Sequence, residues 1–149
     1  MERKKILLVE DNPKDVELTK RALKRANVYN YLDVVEDGVE AIKYFFGEDG
    51  KGGCKAEECP VVVLLDLKLP MIDGLEVLKR MRSEEKTRYI PVVVLTSSSE
   101  ESDIIKSYDL GANSFVRKPV KFAEFAEAVR HLGLYWLILN QPATNDMRK

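Results

Sequence analysis

The chain has 149 residues, of which 45% are hydrophobic and 33% charged, and its formal net charge is -1. This length suits one domain, and the composition is too apolar for a disordered protein. No apolar run reaches the ~18 residues of a membrane helix, and the small net charge argues against a surface that coats nucleic acid or an anionic membrane. The start of the chain is charged and contains no signal peptide, so we expect a cytoplasmic protein.

Five short apolar runs alternate with helical patterns along the chain. Several runs are continuous Val, Ile and Leu, which is typical of strands buried on both faces of a parallel sheet. The predicted strands are residues 6–9, 32–35, 61–65, 92–95 and 115–116. The predicted helices begin after Asn12, at about Gly38, after Asp73-Gly74, at about Glu100 and near Phe122. This order indicates a single α/β domain.

Residues 47–60 are rich in glycine and charge, which predicts a surface loop between the second helix and the third strand. This stretch contains Cys54 and Cys59. Their spacing would allow a small disulfide loop, but a cytoplasmic chain favours reduced cysteines, so we predict free thiols. The single histidine, His131, is too distant in sequence to complete a local zinc site and is predicted to lie on a solvated helix face. Residues 140–149 are polar and predict a flexible tail.

Polar residues follow four of the predicted strands. Glu10 and Asp11 follow the first, Asp66 the third, Thr96 the fourth and Lys118 the fifth. Because the carboxyl ends of parallel strands meet at one edge of the sheet, we expect these side chains to converge there.

Such a set suits phosphoryl transfer. Clustered carboxylates repel one another unless a cation offsets their charge, and Mg²⁺ prefers carboxylate oxygens while leaving sites for phosphate. Lys118 and Thr96 could stabilise phosphoryl oxygens while a carboxylate attacks in line. Taken singly, Glu10-Asp11 could be a strand end and helix cap, Thr96 could be an ordinary residue at a strand end, and Lys118 could be an ordinary surface lysine. Asp66, directly after five apolar residues, favours a functional role.

The motifs at these strand ends resemble those of response-regulator receiver domains of two-component signalling. The matching segments are Leu-Val-Glu-Asp-Asn-Pro at 8–13, Leu-Asp-Leu-Lys-Leu-Pro-Met-Ile-Asp-Gly at 65–74, Val-Leu-Thr-Ser at 94–97 and Phe-Val-Arg-Lys-Pro at 115–119. The resemblance covers residues 5 to about 132. It implies a doubly wound, flavodoxin-like (βα)5 domain whose parallel strands lie in the order 2-1-3-4-5. We expect a receiver domain over residues 5–139, without an output domain.

The resemblance also implies roles for individual residues. Asp66 corresponds to the acceptor of a phosphoryl group from a sensor histidine kinase. Asp11, Glu10, Asp66 and the backbone carbonyl of Lys68 correspond to the set that binds Mg²⁺. Activity is then limited to self-phosphorylation and self-dephosphorylation, so the protein is a signalling protein rather than an enzyme.

Three further residues correspond to the switch of the family. Thr96 would move to hydrogen-bond the new phosphoryl group, and Phe115 would rotate into the vacated space. Lys118 would pair with a phosphoryl oxygen, and the bond from Lys118 to Pro119 is expected to be cis.

The loop at 47–60 and the tail at 132–142 resemble single-domain regulators that partner phytochrome-type kinases. The similarity implies a homodimer formed through the last helix region and the edges of the fourth and fifth strands, and signalling by contact with a downstream protein target. The alternative is that the apolar segment at 132–139 folds back over the edge of the chain's own sheet. Residues 132–139 are apolar on nearly every side but are too few to span a membrane. We expect no membrane or nucleic-acid partner.

Three other classes of protein fit less well. A haloacid-dehalogenase-type enzyme needs an aspartate two residues after its nucleophile, where this chain has Lys68. A flavin-binding flavodoxin needs a hydroxyl- and glycine-rich phosphate loop, where Glu10 and Asp11 would repel a phosphate. An interaction module with an inactive site would have lost one of the acids, Thr96 or Lys118, and all are present.

Overall fold

Five strands and five helices alternate along the part of the chain that the computed structural model describes, residues 5–26, 28, 31–48, 50–97 and 101–131. They are β1 (Lys5–Val9), α1 (Pro13–Arg25), β2 (Tyr31–Val35), α2 (Gly38–Phe46), β3 (Val62–Asp66), α3 (Gly74–Ser83), β4 (Val92–Thr96), α4 (Glu101–Asp109), β5 (Ser114–Arg117) and α5 (Phe122–His131). The segments predicted at 132–139 and 140–149 lie outside the described residues.

All four strand pairs are parallel, and the order across the sheet is β2-β1-β3-β4-β5. This confirms the expected strand order. Successive parallel strands must be joined across a face of the sheet, and α1 to α4 make these connections, while α5 follows the last strand. The carboxyl ends of the strands therefore share one edge.

Alternate side chains of β1 enter two different cores. Ile6 and Leu8 pack with residues of α1 and α5 on one face, whereas Leu7 and Val9 pack with residues of α2 and α3 on the other. All four are fully buried or nearly so. A strand buried on both faces needs an apolar residue at every position, which explains the continuous apolar runs.

The strand and helix predictions are confirmed to within about one residue at most ends. The side chain of Asn12 caps α1 by accepting hydrogen bonds from the backbone N–H groups of Lys14 and Asp15, at 2.8 and 3.3 Å. β5 is longer than predicted because pairing with β4 extends it to Ser114 and Arg117.

The prediction of free thiols at Cys54 and Cys59 is wrong, because the two residues form a disulfide. A short 3₁₀ helix at Ala56–Glu58 turns the chain between them and brings their Cα atoms to 5.3 Å. Proximity set by this local turn, rather than the cellular compartment, decides the pairing. Lys86 holds the same loop by donating hydrogen bonds to the carbonyl oxygens of Phe45 and Gly52, at 2.8 and 3.2 Å.

Within the described residues, every helix is too short or too polar to cross a membrane. His131 is exposed, as predicted, and its Nε2 lies 3.4 Å from Oε2 of Glu127.

Candidate functional site

The ammonium group of Lys118 stands at the centre of the carboxyl edge of the sheet. Its Nζ donates hydrogen bonds to Oε1 of Glu10 at 2.9 Å, to Oδ2 of Asp66 at 3.0 Å and to Oδ2 of Asp15 at 2.9 Å. Glu10 directly follows β1, Asp66 ends β3 and Lys118 directly follows β5. The predicted convergence of Glu10, Asp66 and Lys118 is thus confirmed by their contacts.

Burial controls the protonation of this cluster. Glu10 is fully buried and Asp66 is only 3% exposed. Burial raises the pKa of the Glu10 carboxyl to about 7; the hydrogen bond from Lys118 opposes this rise, and the charge of Asp66 adds to it. Burial alone would lower the pKa of Lys118, but its bonds to three carboxylates outweigh that effect and raise the pKa above its ordinary value. Lys118 is therefore a permanent cation at physiological pH.

Glu10, Asp11 and Asp66 each offer a carboxylate oxygen, and these oxygens lie within 4.8 Å of one another. Two of the three carboxylates are buried, and the ammonium of Lys118 is shared with a further acid, Asp15. The single positive charge of Lys118 cannot offset the negative charge of these four acidic residues. Three convergent carboxylate oxygens match the preference of hard divalent cations, so the donor set fits the predicted metal.

Thr96 and Phe115 lie on neighbouring strands, with Phe115 in register with Val94, two residues before Thr96. Thr96 is fully buried at the end of β4, and its carbonyl oxygen accepts a hydrogen bond of 2.9 Å from the backbone N–H of Lys118. Phe115 is half-buried, and its ring meets that of Tyr108 of α4 edge to face at 6.1 Å. Phe115 therefore lies between the sheet and α4, while its role as a switch residue stays a prediction.

The loop after β3 holds the Asp66 side chain. The backbone N–H of Lys68 donates to Oδ1 of Asp66 at 3.1 Å, and the N–H of Gly74 donates to the carbonyl oxygen of Leu67 at 3.0 Å. A Cβ on Gly74 would collide with the carbonyl oxygen of Asp66. Glycine is therefore required for α3 to start this close to the site.

The peptide bond between Lys118 and Pro119 is cis, as expected.

An open groove of about 430 Å³ adjoins the acidic cluster. The groove is lined by Asp11, Leu67, Lys68, Leu69, Pro70, Asp73, Leu75 and Asp103. A partner can approach the acidic cluster from this side.

Sequence reasoning missed Asp15. It lies in the first turn of α1, and no motif of the sequence marks it. The contact with Lys118 spans 103 positions in sequence, which no local pattern reveals.

A doubly wound parallel sheet with buried acids and a lysine at its carboxyl edge defines an α/β protein whose site suits phosphoryl transfer. The family model described as "Response regulator receiver domain" matches residues 6–130. The chain belongs to the response-regulator receiver-domain family. Members of this family accept a phosphoryl group on an aspartate, bind a divalent metal and interact with histidine kinases in two-component signalling.

The relatives that match this chain include two that it covers over most of their own length. "Probable methanogenesis regulatory protein FilR2" of Methanothrix harundinacea is 38% identical over 91% of this chain and 85% of its own length. "Response regulator Rcp1" of Synechocystis is 35% identical over 90% of this chain and 89% of its own length. Both proteins are therefore close to a receiver domain in length.

Solved structures of phytochrome-associated regulators are similar as well. The bacteriophytochrome response regulator AtBRR is 48% identical with a TM-score of 0.77, covering 95% of this chain and all of its own. RtBRR is 49% identical with a TM-score of 0.78, covering 98% of this chain and 87% of its own. An Mn²⁺-bound form of Rcp1 is 35% identical with a TM-score of 0.69, covering 90% of this chain and 94% of its own. The chain thus resembles stand-alone receiver proteins along nearly its whole length.

Proposed function

We propose that Asp66 is the phosphoacceptor of a single-domain response regulator that signals through phosphorylation-dependent protein contacts. One observation carries the proposal: Asp66 is buried at the carboxyl edge of the sheet with Oδ2 on the ammonium of Lys118 and Oδ1 on the N–H of Lys68. This aspartate is held in one orientation beside a cation, as in-line attack on phosphorus requires.

In the proposed reaction, a carboxylate oxygen of Asp66 attacks the phosphorus atom of a phosphohistidine on the kinase. An O–P bond forms, the N–P bond breaks and the imidazole leaves with the bonding electron pair. Lys118 stabilises negative charge on a phosphoryl oxygen, and Thr96 hydrogen-bonds another. Hydrolysis of the resulting acyl phosphate by the same site resets the protein.

Glu10, Asp11, Asp66 and the backbone carbonyl of Lys68 would hold Mg²⁺. When bound, the ion supplies positive charge to the transferring phosphoryl group. Their clustered carboxylate oxygens support this assignment, as does the Mn²⁺-bound form of the related Rcp1.

The proposed switch pairs Thr96 with Phe115. Contact of Thr96 with a phosphoryl group would open space beside β4, and Phe115 would turn into it and away from Tyr108 of α4. The half-buried position of Phe115 supports this proposal, because such a ring has room on its exposed side to change rotamer.

The proposed partners are a phytochrome-type sensor kinase, a downstream protein and a second copy of this chain. The similarity to AtBRR and RtBRR, whose names identify them as bacteriophytochrome response regulators, supports the kinase class. We place the receiver domain at residues 5–139, with 47–60 as an insertion and 140–149 as a tail. Residues 132–139, with Tyr135 and Trp136, are the proposed dimer contact. A cytoplasmic location stays a prediction.

Phosphorylation is tested by incubating the protein with phosphoramidate and Mg²⁺ and measuring its intact mass. We expect one added phosphoryl group that hydroxylamine removes and that decays with time. Asp66→Asn should acquire none, while Asp109→Asn, which removes an exposed carboxylate of α4, should match the parent. A phosphoryl group on Asp66→Asn would refute the assignment of Asp66 as the acceptor.

Metal binding is tested by titrating Mg²⁺ and Mn²⁺ into the parent and Asp11→Asn. The variant should bind both ions at least about ten-fold more weakly, because one of three convergent carboxylates is lost. Equal affinity would show that Asp11 is not a ligand.

Self-association is tested by sedimentation of the parent, Trp136→Asp and Tyr89→Asp, each with and without phosphoramidate and Mg²⁺. Only Trp136→Asp should reduce dimerisation; Tyr89, an 86% exposed tyrosine elsewhere, is the matched control. A parent that stays monomeric at high micromolar concentration in every condition excludes the dimer.

A further inference from the structure

We propose that Asp15 is a positioning residue that keeps the ammonium of Lys118 in the site while Glu10 and Asp66 engage the metal and the phosphoryl group. The inference rests on the proposed function of Asp66 and Lys118. It concerns a contact that the sequence motifs do not contain.

The ammonium of Lys118 has three N–H donors, and three carboxylates accept from it. The distances from Nζ to Glu10, Asp15 and Asp66 are 2.9, 2.9 and 3.0 Å. Only 11% of the Lys118 side chain is exposed, so water provides little alternative solvation. The position of the ammonium therefore depends on its hydrogen bond to each of the three carboxylates.

The three contacts differ in what happens to them during the reaction. Glu10 and Asp66 belong to the cluster that can hold a metal ion, and Asp15 does not. Glu10 and Asp66 would share their carboxylate charge with a divalent cation when one is bound, and the positive charge of that ion would repel the nearby ammonium. Phosphorylation then converts Asp66 from a carboxylate into an acyl phosphate. Asp15 is the one carboxylate among the three that keeps its full charge for Lys118 throughout.

Asp15 is also held on a rigid element. Its N–H donates to Oδ1 of Asn12 at 3.3 Å, in the capped first turn of α1. Further along the helix, Thr19 and Leu23 are buried against the sheet. The backbone of Asp15 is thus fixed before Lys118 binds its carboxylate, so little conformational entropy is lost when the contact forms.

A double-mutant cycle tests the proposal. The rate of phosphorylation by phosphoramidate with Mg²⁺ is measured for the parent, Asp15→Asn, Lys118→Ala and the double variant. We expect Asp15→Asn to slow the reaction by about three- to thirty-fold, which is within the range that coupled side chains produce, and to have no further effect once Lys118 is absent. Glu17→Gln is the matched control, because it removes an exposed acid from the same helix that pairs only loosely with Lys20, at 3.8 Å. It should react at the parent rate.

Nitrogen-15 NMR of the lysine ammonium groups provides a readout independent of phosphorylation. In the parent, three carboxylate partners should slow hydrogen exchange at Lys118 enough for its signal to be observed, with and without Mg²⁺. In Asp15→Asn the signal should be lost or exchange-broadened, most strongly with Mg²⁺ bound, while Asp15→Glu should restore part of it.

The outcomes distinguish failure of the positioning role from failure of the proposed function. A parent-like rate for Asp15→Asn, or an equal slowing in the presence and absence of Lys118, overturns the positioning role. An unchanged ammonium signal in Asp15→Asn with Mg²⁺ overturns it as well. If Asp66→Asn is phosphorylated or Lys118→Ala reacts at the parent rate, the proposed function itself fails.

Discussion

Arg82 of α3 donates two hydrogen bonds to the carbonyl oxygen of Gly111, from Nε at 3.0 Å and from Nη2 at 2.8 Å. The same guanidinium donates to the carbonyl oxygen of Ile90 at 2.8 Å and to Oδ1 of Asn113 at 3.0 Å. Asn113 Oδ1 in turn accepts from the N–H of Val92 at 2.8 Å. One side chain thus joins α3 to the segments that precede β4 and β5.

We expect Arg82→Lys to lower the free energy of unfolding by about 2–3 kcal/mol. A lysine has a single donor atom and cannot serve several acceptors in a plane, so partly buried carbonyl groups lose their partners. Urea unfolding measures the effect. Arg88→Lys, an exposed position six residues on, should change stability by less than about 0.5 kcal/mol. A parent-like midpoint for Arg82→Lys contradicts the prediction.

The pKa of Glu10 predicts how the metal-free protein responds to pH. Because burial raises this pKa to about 7, the folded state holds a proton that the unfolded state releases near pH 4.5. Stability from this group is therefore fully present below about pH 4.5 and is lost as pH rises through about 7. Lys118 stays protonated over the same range, since its pKa is raised.

Urea unfolding in a chelator at pH 5 and pH 8 measures this dependence. Between these values, the parent should lose about 1–3 kcal/mol more stability than Glu10→Gln, whose amide does not ionise. Asp109→Asn, an exposed carboxylate, should follow the parent. Identical pH profiles for the parent and Glu10→Gln would show that the Glu10 carboxyl does not titrate in this window.

Met71 has φ of 72° in the loop after β3, and its side chain is 79% exposed. A side chain with a Cβ is strained in this left-handed region, whereas glycine is not. Met71→Gly should therefore raise the free energy of unfolding by about 0.5–1 kcal/mol, despite the greater flexibility of glycine in the unfolded chain. Tyr89→Gly, at an exposed position without a positive φ, should not be stabilising. Loss of stability in Met71→Gly contradicts the prediction.

The bond between Cys54 and Cys59 closes a loop with a sequence separation of 5. Loop-closure entropy for so short a loop predicts that reduction lowers the free energy of unfolding by about 2 kcal/mol. Thermal unfolding with and without dithiothreitol measures this loss. The double variant Cys54→Ser/Cys59→Ser should match the reduced parent and should not respond to the reductant. If the unfolding temperature of the parent is the same with and without dithiothreitol, the disulfide does not stabilise the protein.

The sequence by itself determined the elements and most of the site. Continuous apolar runs such as 92–95 indicated strands buried on both faces, because a two-sided core leaves no position for a polar residue. Parallel strands end at one edge, so Asp66 and Lys118 could be placed together from their positions after strands. The strand order and the roles of Thr96 and Phe115 came from the family motifs rather than from periodicity.

Only the tertiary structure decided which side chains touch. The contacts of Lys118 with Asp15, of Arg82 with Gly111 and of Cys54 with Cys59 depend on where helices and turns lie once the sheet has formed. Hydrophobic periodicity reports which face of an element is buried, since burial acts on every apolar residue regardless of its partner. A hydrogen bond or disulfide instead requires two particular atoms at a set distance and angle. For Lys118 and Arg82 that geometry exists only after distant segments have packed, and for Cys54 and Cys59 it depends on the turn that Ala56–Glu58 makes between them.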